Sequence, residues 1–304
     1  MPCKNCKSHP VYTTLSNQPL CRHCFIKYVE KKVYKTITSY KMVQHGERIG
    51  VGLSGGKDSV TCLYLLQKFF ENKGNEIIAI AIDEGIQGYR DATLKDAEAF
   101  CRKQGIHLEI TSYKKEFGFT LDDYLKKHKI NACSVCGVLR RYLLNKAARR
   151  VRVHKLATGH NLDDEAQSIL MNQMKGNMSL SAKLGPVTGV LIHQKFIPRI
   201  KPLYFLTEKE VTIYTKLKGF DVGYNVCPNF GDNFRGMVGK SLNEMEERLP
   251  GTKHGIINSF IEILPQLRKL YQHGNIGSCR ECGEPAAKKL CRVCELVTRG
   301  ASQA

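Results

Sequence analysis

The sequence predicts an α/β protein with a doubly wound, mainly parallel sheet, flanked by an amino-terminal and a carboxyl-terminal zinc module. The sheet is predicted because, between about Arg48 and Arg199, short apolar runs alternate with segments of helical periodicity. The modules are predicted because each end of the chain carries four cysteines arranged as two C-x2-C pairs. Beyond Pro202 the pattern becomes mainly helical, which indicates a helical extension of the core.

The core elements follow one another in a regular order. Ile77–Ile82 is continuously apolar, as expected of a parallel strand that is covered by helices on both faces. The predicted strands are Ile49–Leu53, Ile77–Ile82, His107–Thr111 and Lys155–Thr158. The predicted helices are Ser59–Phe70, Asp91–Gln104, Leu162–Met174, Glu208–Lys218, Ser241–Leu249 and Ile256–Leu270, the last with a kink or break at Pro265. We expect four units: a zinc module at 1–30, the α/β core at 31–205, a helical part at 206–274 that contributes Cys227, and a second zinc module at 275–304.

Composition narrows the class of protein. With 42% hydrophobic and 25% charged residues, the chain can bury enough apolar surface to fold, which excludes wholesale disorder. Its longest aliphatic run is too short for a membrane helix and no secretory leader is recognisable, so we expect a cytoplasmic protein with no membrane partner. In a reducing compartment the 13 cysteines are expected to bind metals or to act as thiols. The net charge of +19 favours a polyanionic partner such as nucleic acid.

A glycine-rich loop follows the first core strand. The strand ends at Leu53, and the chain continues as Ser54-Gly55-Gly56-Lys57-Asp58-Ser59 into a helix. The two glycines allow a tight turn whose amides can approach a ligand, and the helix amino terminus attracts an anion, so the loop is suited to phosphate. Lys57 adds a positive charge, and Asp58 indicates either a bound Mg²⁺ ion or a helix cap. The spacing differs from the Walker pattern GxxxxGK[ST].

A second polar segment lies where a later strand ends and a helix begins. It reads Thr158-Gly159-His160-Asn161-Leu162-Asp163-Asp164-Glu165. Its residues are expected at the carboxyl edge of the sheet, where ligands bind in open α/β folds. One of the two aspartates could cap the helix, and carboxylates at this edge could hold Mg²⁺ against a pyrophosphate group.

These two segments resemble known motifs. SGGKDS resembles the PP-loop of the N-type ATP pyrophosphatases, and GHNLDDE resembles the second motif of their tRNA-modifying members. The resemblance implies that residues 31–205 form a Rossmann-like PP-loop catalytic domain, which cleaves ATP between the α and β phosphates and adenylates a carbonyl oxygen. It further implies that Ala81, Ile82 and Asp83, at the end of a strand, contact adenine through their backbone.

Three cysteines lie in the middle of the chain. Cys133 and Cys136 form a C-x2-C pair, and a distant third thiol, Cys227, precedes a proline. The pair alone fits a redox dithiol that could carry a persulfide, or a zinc site completed by other ligands. With Cys227 as a third thiolate, the set fits a cubane cluster in which one iron has no protein ligand. From Val138 to Lys155 the sequence has seven Lys/Arg and no Asp or Glu, which indicates contact with a nucleic-acid backbone near these thiols.

A second resemblance covers nearly the entire chain, both terminal modules included. CSVCGVLRR, followed much later by an isolated Cys-Pro, is similar to the tRNA 2-thiouridine synthetases of the TtuA/NcsA type. This resemblance implies that Cys133, Cys136 and Cys227 hold a 4Fe-4S cluster with one open iron. It places Arg140 where it faces ATP and substrate, although several members have lysine there. The residues implied to be catalytic are Lys57, Asp58, Arg140, Asp164, Cys133, Cys136 and Cys227, and those implied to bind ATP and Mg²⁺ are Leu53, Ser54, Gly55, Gly56, Lys57, Asp58, Ser59, Ala81, Ile82, Asp83, Arg140, Gly159, Asp163 and Asp164.

The terminal cysteines can close two tetrahedral Zn²⁺ sites, and the basic residues around them could also grip RNA. The similarity between the modules is limited to metal spacing, so no internal repeat is predicted. The two ligand sets are Cys3, Cys6, Cys21 and Cys24, and Cys279, Cys282, Cys291 and Cys294. The remaining cysteines, Cys62 and Cys101, lie in apolar helical patterns and are predicted to be buried packing residues.

Together these features predict an ATP-dependent tRNA sulfurtransferase, which adenylates the C2 oxygen of a uridine at position 34 or 54 and replaces it with sulfur. The expected partners are tRNA and a sulfur donor, either a ubiquitin-like protein with a thiocarboxylate or sulfide; the family resemblance also implies a homodimer. Three alternatives are a cluster-free thiolase that uses a persulfide, an ammonia-dependent amide synthetase, and a non-catalytic zinc-stabilised RNA-binding protein.

Overall fold

A five-stranded sheet lies at the centre of the molecule, which a computed structural model describes at residues 2–188, 193–223, 227–229, 234–271 and 276–301, without the side chains of 299–301. The strands are β1 (Tyr12–Thr13), β2 (Pro19–Leu20), β3 (Arg48–Gly52), β4 (Glu76–Asp83), β5 (His107–Ser112), β6 (Lys155–Ala157), β7 (Arg199–Ile200), β8 (Gly277–Ser278) and β9 (Pro285–Ala286). The helices are α1 (Arg22–Ser39), α2 (Lys57–Phe70), α3 (Arg90–Gln104), α4 (Tyr113–Phe117), α5 (Leu121–Lys127), α6 (Ala132–Arg150), α7 (Leu162–Met174), α8 (Met178–Ser181), α9 (Glu208–Lys218), α10 (Phe234–Arg248), α11 (Thr252–Tyr271) and α12 (Arg292–Ala301).

The order of the strands determines where a ligand can bind. The central sheet has the order β5-β4-β3-β6-β7, and every neighbouring pair in it is parallel. The chain moves outward from β3 through β4 to β5 and then returns to the other side of β3 with β6, so the order reverses between β3 and β6. In open α/β sheets the crevice at such a switch point, beyond the carboxyl ends of the strands, is the usual binding site. The predicted doubly wound parallel sheet is confirmed.

Helices cover both faces of the sheet. One apolar cluster joins α1, α2, α3 and α9 to the face that carries Ile49, Val51 and Ala79. A second cluster joins α5, α6 and α12 to the opposite face, where Ile78 and Ile80 point. This alternation along β4 follows the two-residue period of a strand. A third cluster packs α7 against α10 and α11.

Most predicted elements are present with bounds that differ by a few residues, whereas the helices α1, α4, α5, α8 and α12 and the two-residue strands β1, β2, β7, β8 and β9 were not predicted. The expected break at Pro265 does not occur as a helix end, because α11 continues through this residue to Tyr271. Buried Phe260 and Leu264 pack this helix into the third cluster, which stabilises the helix around the missing N–H group. The domain boundary predicted at residue 30 lies inside α1, and the one predicted at 274 lies outside the described residues.

The two terminal modules share more than their cysteine spacing. In each, a two-stranded antiparallel hairpin is followed by a helix, and the second C-x2-C pair lies at the start of that helix. The hairpins are β1-β2 and β8-β9, and the helices are α1 and α12. The sequence-based view that only metal spacing is shared was therefore wrong; the spacing repeats because a hairpin-helix unit repeats.

Two further predictions concern apolar segments. Cys62 and Cys101 are both buried within the first cluster, and burial raises the pKa of each thiol, to about 11 for Cys101. Both are packing residues, as predicted. Among the helices of the described ranges, none combines the length and apolar character needed to cross a membrane.

Candidate active site

The glycine-rich loop connects β3 to α2 at the switch point. Ser54 and Ser59 face each other across the loop, with 3.0 Å between their Oγ atoms, and the Ser54 backbone N donates to Ser59 Oγ over 3.1 Å. Gly55 has φ +87°, and a Cβ atom there would lie 2.2 Å from the carbonyl oxygen of Thr93. Only glycine allows this conformation beside α3. The loop therefore turns tightly before α2, whose amino terminus points its N–H groups toward the crevice.

Lys57 and Asp58 begin α2 and are engaged with one another. Lys57 Nζ lies 2.9 Å from Asp58 Oδ2 and 3.0 Å from Glu208 Oε1, and Asp58 Oδ1 accepts a hydrogen bond from Asn161 Nδ2 over 2.9 Å. Burial lowers the pKa of Lys57, but the two carboxylates outweigh it and raise that pKa above its ordinary value. Lys57 is thus a fixed cation at the loop.

The segment after β6 packs directly on the loop. A Cβ atom on Gly159 would lie 2.8 Å from both the Asp58 carbonyl carbon and the Ser59 backbone N, so the two predicted motifs meet at van der Waals distance. Asn161 and Asp164 form a capping box at the start of α7, in which each side chain accepts a hydrogen bond from the other's backbone N–H. The capping role that the sequence suggested for one aspartate belongs to Asp164.

Asp164 also faces the crevice. Arg235 Nη1 lies 3.4 Å from its Oδ1 atom. Burial, together with the negative charges of Asp58 and Glu165, raises the pKa of Asp164 to about 6 despite this arginine. The negative charge of Asp164 is thus not fully neutralised by nearby cations, and a second carboxylate, Asp58, lies close to it. Such a pair of carboxylates is a suitable ligand set for a divalent cation. Asp58 and Asp164 therefore fit the predicted Mg²⁺ site.

Asp163 occupies a different environment. It is buried, its Oδ2 accepts a hydrogen bond from the Glu208 backbone N over 2.7 Å, and its Oδ1 pairs with Lys253. Among the described residues, Asp163 is absent from the set that lines the loop crevice and instead lines a larger cavity next to the amino-terminal module. It ties the starts of α7 and α9 to α11. The geometry favours Asp164 over Asp163 as the Mg²⁺ ligand.

The crevice is a cavity of about 240 Å³. Ile80 and Ile82 give it an apolar wall, whereas Ala81 is buried on the opposite face of β4, and the Asp83 side chain accepts a hydrogen bond from Gly85 N over 2.8 Å. A base placed against this wall would therefore meet the side chains of Ile80 and Ile82 as well as backbone. The residues that line the cavity are Gly52, Leu53, Ser54, Asp58, Ser59, Ile80, Ile82, Glu84, Arg90, Arg140, Leu144, Thr158, Gly159, His160 and Asp164.

Sequence reasoning missed a buried ion pair beneath this cavity. Arg90 Nε lies 2.9 Å from Glu84 Oε2, and both side chains are almost fully buried. Arg90 also donates to the carbonyl oxygens of Ser54, over 2.6 Å, and Ile82, over 2.8 Å. It therefore fixes the glycine-rich loop to the end of β4. Neither residue lies in a segment that resembled a motif, so the sequence carried no signal for it.

Glu84 also connects the cavity to the central thiols. Arg140 Nη1 lies 3.7 Å from Glu84 Oε1, and the nearby Cys136 and Glu84 raise the pKa of Arg140, against the lowering effect of burial. Burial raises the pKa of Cys136, and Arg140 lowers it. The hydroxyl of Tyr113 donates to the Cys136 carbonyl oxygen over 2.9 Å and lies 3.7 Å from its Sγ atom. Arg140 thus lines the crevice and lies close to Cys136.

The three central cysteines converge on one region. Cys133 is exposed on the first turn of α6. Its Sγ donates a hydrogen bond over 3.5 Å to the carbonyl oxygen of Asn229, a residue that lies two positions after Cys227 in the chain. Burial is the main reason that the pKa of Cys227 is raised, and the negative charges of the nearby Cys133 and Glu84 raise it further. Four thiolates on one Zn²⁺ ion lie ~3.8 Å apart, whereas thiolates of a cubane bind different irons and lie further apart. Within the described residues these three thiols are not among the groups whose ligand atoms lie within 4.8 Å of one another, which suits a cluster better than a single ion.

The terminal cysteines do form such groups. In each module the four Sγ atoms lie within 4.8 Å of one another, and no other such set of His, Cys, Asp or Glu occurs in the described ranges. The distance is 3.3 Å between Cys6 and Cys21, and 3.6 Å between Cys282 and Cys291. Backbone hydrogen bonds lower the pKa of Cys3 to about 6, which favours a thiolate. Both sets fit tetrahedral zinc.

Several cations of the basic stretch from Val138 to Lys155 are paired with carboxylates, so the stretch does not present a surface of purely positive charge. Lys146 pairs with Glu116 over 2.6 Å, Arg149 pairs with Glu284, and Lys155 pairs with Glu47 over 2.9 Å. A fourth cation, Arg150, pairs with Glu109 and lies 3.7 Å from Glu116. These carboxylates come from other elements, so the run of one sign in the sequence becomes a set of ion pairs in the fold. Contact between this run and a nucleic-acid backbone stays a prediction, in which phosphates would compete with these carboxylates.

The comparisons with known proteins agree with this geometry. Residues 27–224 match the model of a family described as the PP-loop domain. The chain is 36% identical over 295 residues to a probable sulfurtransferase of Methanocaldococcus jannaschii, which covers 95% of this chain and 84% of that protein. It is 35% identical to the tRNA 2-thiolation protein NcsA of Haloferax volcanii, over 98% of both chains.

A solved structure is also similar. It is the U34-tRNA thiolase NcsA from Methanococcus maripaludis with its [4Fe-4S] cluster, and the two chains superpose with a TM-score of 0.86 at 34% identity. The match covers 98% of this chain and 96% of that one. It therefore includes both terminal modules as well as the central sheet.

Proposed function

This chain belongs to the PP-loop domain family and, within it, to the tRNA 2-thiolation enzymes, and from that premise we propose that it is an ATP-dependent sulfurtransferase that converts a tRNA uridine into 2-thiouridine. The observation that carries the proposal is the position of Arg140. It lines the cavity that contains the glycine-rich loop, pairs with Glu84 at 3.7 Å, and lies close enough to Cys136 for each to shift the other's pKa. Two chemistries, activation by ATP and transfer of sulfur, are thereby brought to one place.

ATP would bind with its phosphates at the loop and its base against β4. The amides at the start of α2, the hydroxyls of Ser54 and Ser59, and the cation of Lys57 would meet the phosphate oxygens. Asp58 and Asp164 would hold Mg²⁺ against the pyrophosphate portion. Because Lys57 is paired with Glu208 in the free protein, we expect it to exchange that carboxylate for phosphate when ATP binds.

Adenylation prepares the base for substitution. The C2 oxygen of the uridine attacks the α-phosphorus, the bond from that phosphorus to the bridging oxygen breaks, and pyrophosphate leaves. The C2 oxygen is then part of AMP, a far better leaving group than a carbonyl oxygen. Lys57, Arg140 and Mg²⁺ would stabilise the negative charge that develops on the phosphates.

Sulfur then replaces AMP at C2. A 4Fe-4S cluster held by Cys133, Cys136 and Cys227 would supply the sulfur from its open iron. The residues present fit this group, since three thiols converge at the start of α6 with Tyr113 beside one of them. Arg140, which lines the cavity and lies close to Cys136, would orient the departing phosphate of AMP.

The remaining parts of the proposal concern substrate and partners. The likeness to a thiolase described as acting on U34 favours position 34 over position 54. The proposal also includes tetrahedral Zn²⁺ in both terminal modules. The sulfur donor would be either a ubiquitin-like protein with a thiocarboxylate or sulfide, and the protein would form a homodimer. Relatives named cytoplasmic tRNA 2-thiolation protein 1, in Arabidopsis thaliana and Aspergillus niger, support a cytoplasmic location.

The test is reconstitution. Full-length protein is loaded anaerobically with iron and sulfide and incubated with tRNA and sulfide, with or without ATP, and the nucleosides are analysed by mass spectrometry. We expect 2-thiouridine only with ATP, and nuclease mapping should place it at position 34. Lys57→Ala should lose product, whereas Lys68→Ala, further along α2 and paired with Glu30, should retain it. A cluster-loaded sample that makes no ATP-dependent 2-thiouridine would refute the proposal.

The same samples separate the alternatives. A colourless, zinc-only preparation that is fully active when a persulfide donor replaces sulfide would indicate a persulfide on Cys133 or Cys136. An RNA-binding protein without catalysis would release no pyrophosphate from ATP and would be indifferent to Lys57→Ala or Asp58→Ala.

A further inference from the structure

A groove with a basic rim runs from the start of α6 along α5. One cavity, of about 360 Å³, is lined by Asn131, Ser134, Val135 and Val138 of α6 and its cap, by Arg292 and Leu296 of α12, and by Tyr124, His128 and Ile130. A second cavity, of about 550 Å³, is lined by Phe117, Phe119 and three lysines, and it shares Tyr124 and His128 with the first. The two cavities therefore meet at these two rings.

Aromatic rings form the floor of the second cavity. The ring centroids are 5.8 Å apart for Phe117 and Phe119, 5.2 Å for Phe119 and Tyr124, and 4.5 Å for Tyr124 and His128. Phe117, Phe119 and His128 are half-buried, so each keeps part of its ring at the surface. The Nε2 atom of His128 is buried and has no hydrogen-bond partner among the described residues. Such an atom costs free energy unless a ligand or water satisfies it.

The rim of this cavity is positive. Lys114, Lys126 and Lys127 are exposed, and within the described residues no carboxylate oxygen lies within 4.0 Å of their Nζ atoms; a nearby acid, Asp123, has its pKa lowered by hydrogen bonds with Thr120 and by the charges of Lys114 and Lys126. The carboxylate that lines the cavity, Asp123, is turned to the backbone, where it accepts a hydrogen bond from Thr120 N over 3.1 Å. The lysines therefore differ from the cations of α6, most of which are neutralised by carboxylates.

The groove begins next to the proposed sulfur-transfer site. Ser134 and Val135, which line its first cavity, lie between Cys133 and Cys136. The five Cα-to-Cα steps from His128 to Cys133 can span at most ~18 Å, so the basic rim is within reach of a few nucleotides of extended RNA.

We propose that this groove binds a single-stranded stretch of RNA next to the target uridine, with bases on the aromatic floor and phosphates at the three lysines. Partly exposed rings with cations beside them are how single strands are bound, because every base has a face that can stack and every phosphate carries a charge. An acidic protein would use the lysines but would have no need of four rings, and a duplex hides its bases. The inference rests on the proposed function for the identity of the RNA as tRNA.

The test uses full-length protein and a fluorescein-labelled seven-nucleotide RNA with a central uridine, together with an RNA hairpin of equal charge. Binding is followed by anisotropy over a series of salt concentrations. Lys126→Gln/Lys127→Gln should lower the single-strand affinity about tenfold per lysine at 0.1 M salt and reduce the salt slope by about 1.4. His128→Ala should weaken binding about tenfold and leave the slope unchanged, because it removes stacking and not charge. The hairpin should be affected less by each variant.

The matched control is Lys95→Gln/Lys103→Gln, which removes two exposed charges from α3, on the opposite face of the sheet. The inference is wrong if this control variant loses as much RNA affinity as Lys126→Gln/Lys127→Gln (the groove pair), or if the groove pair binds RNA like wild type. It is also wrong if the groove pair binds RNA normally and loses turnover only with a donor protein, since the surface would then belong to that protein. Thiolation of tRNA by wild type is scored separately: its absence would refute the proposed function, whereas loss of RNA binding in the groove variants would still support the groove.

Discussion

Replacing Asp164 by asparagine is expected to stabilise the ligand-free protein while abolishing its ATP-dependent activity. Burial and the carboxylates of Asp58 and Glu165 raise the pKa of Asp164 to about 6. The folded state therefore holds this proton more tightly than the unfolded chain, where a carboxyl group has a pKa of ~3.9. As the pH rises from about 4 through 6, the folded protein loses stability relative to the unfolded chain, and above pH 6 the full cost is present.

The size of the effect follows from the shift. A rise of about two pKa units corresponds to roughly 3 kcal/mol. The side chain is 35% exposed, so solvent screening reduces this cost to about 1 kcal/mol. Asparagine removes the charge but keeps an oxygen that can accept the hydrogen bond from Asn161 N, so the cap of α7 is retained.

Urea unfolding of ligand-free wild type and Asp164→Asn between pH 4 and 8 measures this. The variant should be more stable by about 1 kcal/mol at pH 8 and by about a third of that at pH 4. Asp221→Asn, an exposed acid after α9, controls for the loss of one negative charge. A difference that is the same at every pH, or a variant that is less stable at pH 8, would show that Asp164 is not held in a destabilised ionised state. Retained thiolation would show that it holds no Mg²⁺.

Three further outcomes are expected. Gly159→Ala should displace Asp58, because its new Cβ would lie 2.8 Å from that residue's carbonyl carbon. Calorimetry should then show weaker ATP binding, and the free energy of unfolding should fall by about 1–3 kcal/mol. An unchanged ATP affinity would contradict the close packing. Lys253→Met should cost about 3–5 kcal/mol because it leaves Asp163 buried without its cation, and Asp163→Asn in the same chain should recover part of that; no recovery would mean that the pair is not the cause. Cys291→Ser should lower the metal content measured by plasma mass spectrometry from two zinc ions to one, and a value that stays at two would exclude the proposed ligand set.

The parts that sequence could predict are those whose chemistry is local. The glycine-rich loop and the segment around Asp164 each follow a strand, and parallel strands end at the same edge, so their proximity followed from the fold class. The zinc sets could be predicted because each lies within one short module. Sequence could not reveal that Arg90 and Glu84 support the loop, since a buried ion pair leaves no periodic or spacing signal.

The charge of α6 illustrates the other limit. A run of cations without acids along the chain says nothing about carboxylates that arrive from elsewhere in the fold. Glu116 and Glu109 come from the segment before α6, and Glu284 comes from the carboxyl-terminal module, 135 residues beyond Arg149. The local pattern therefore could not show which of these cations have carboxylate partners, because ion pairing is decided by tertiary structure.

The fit between Gly159 and the glycine-rich loop also has an evolutionary consequence. Two segments that touch at the limit of packing must change together or not at all, which couples the glycine-rich loop and the segment around Gly159. The exposed lysines of α4 and α5 are under no such restriction, because their side chains lie at the surface and do not line the crevice. A lineage could gain, lose or replace those lysines and so acquire a different RNA target, while the activation chemistry is inherited unchanged.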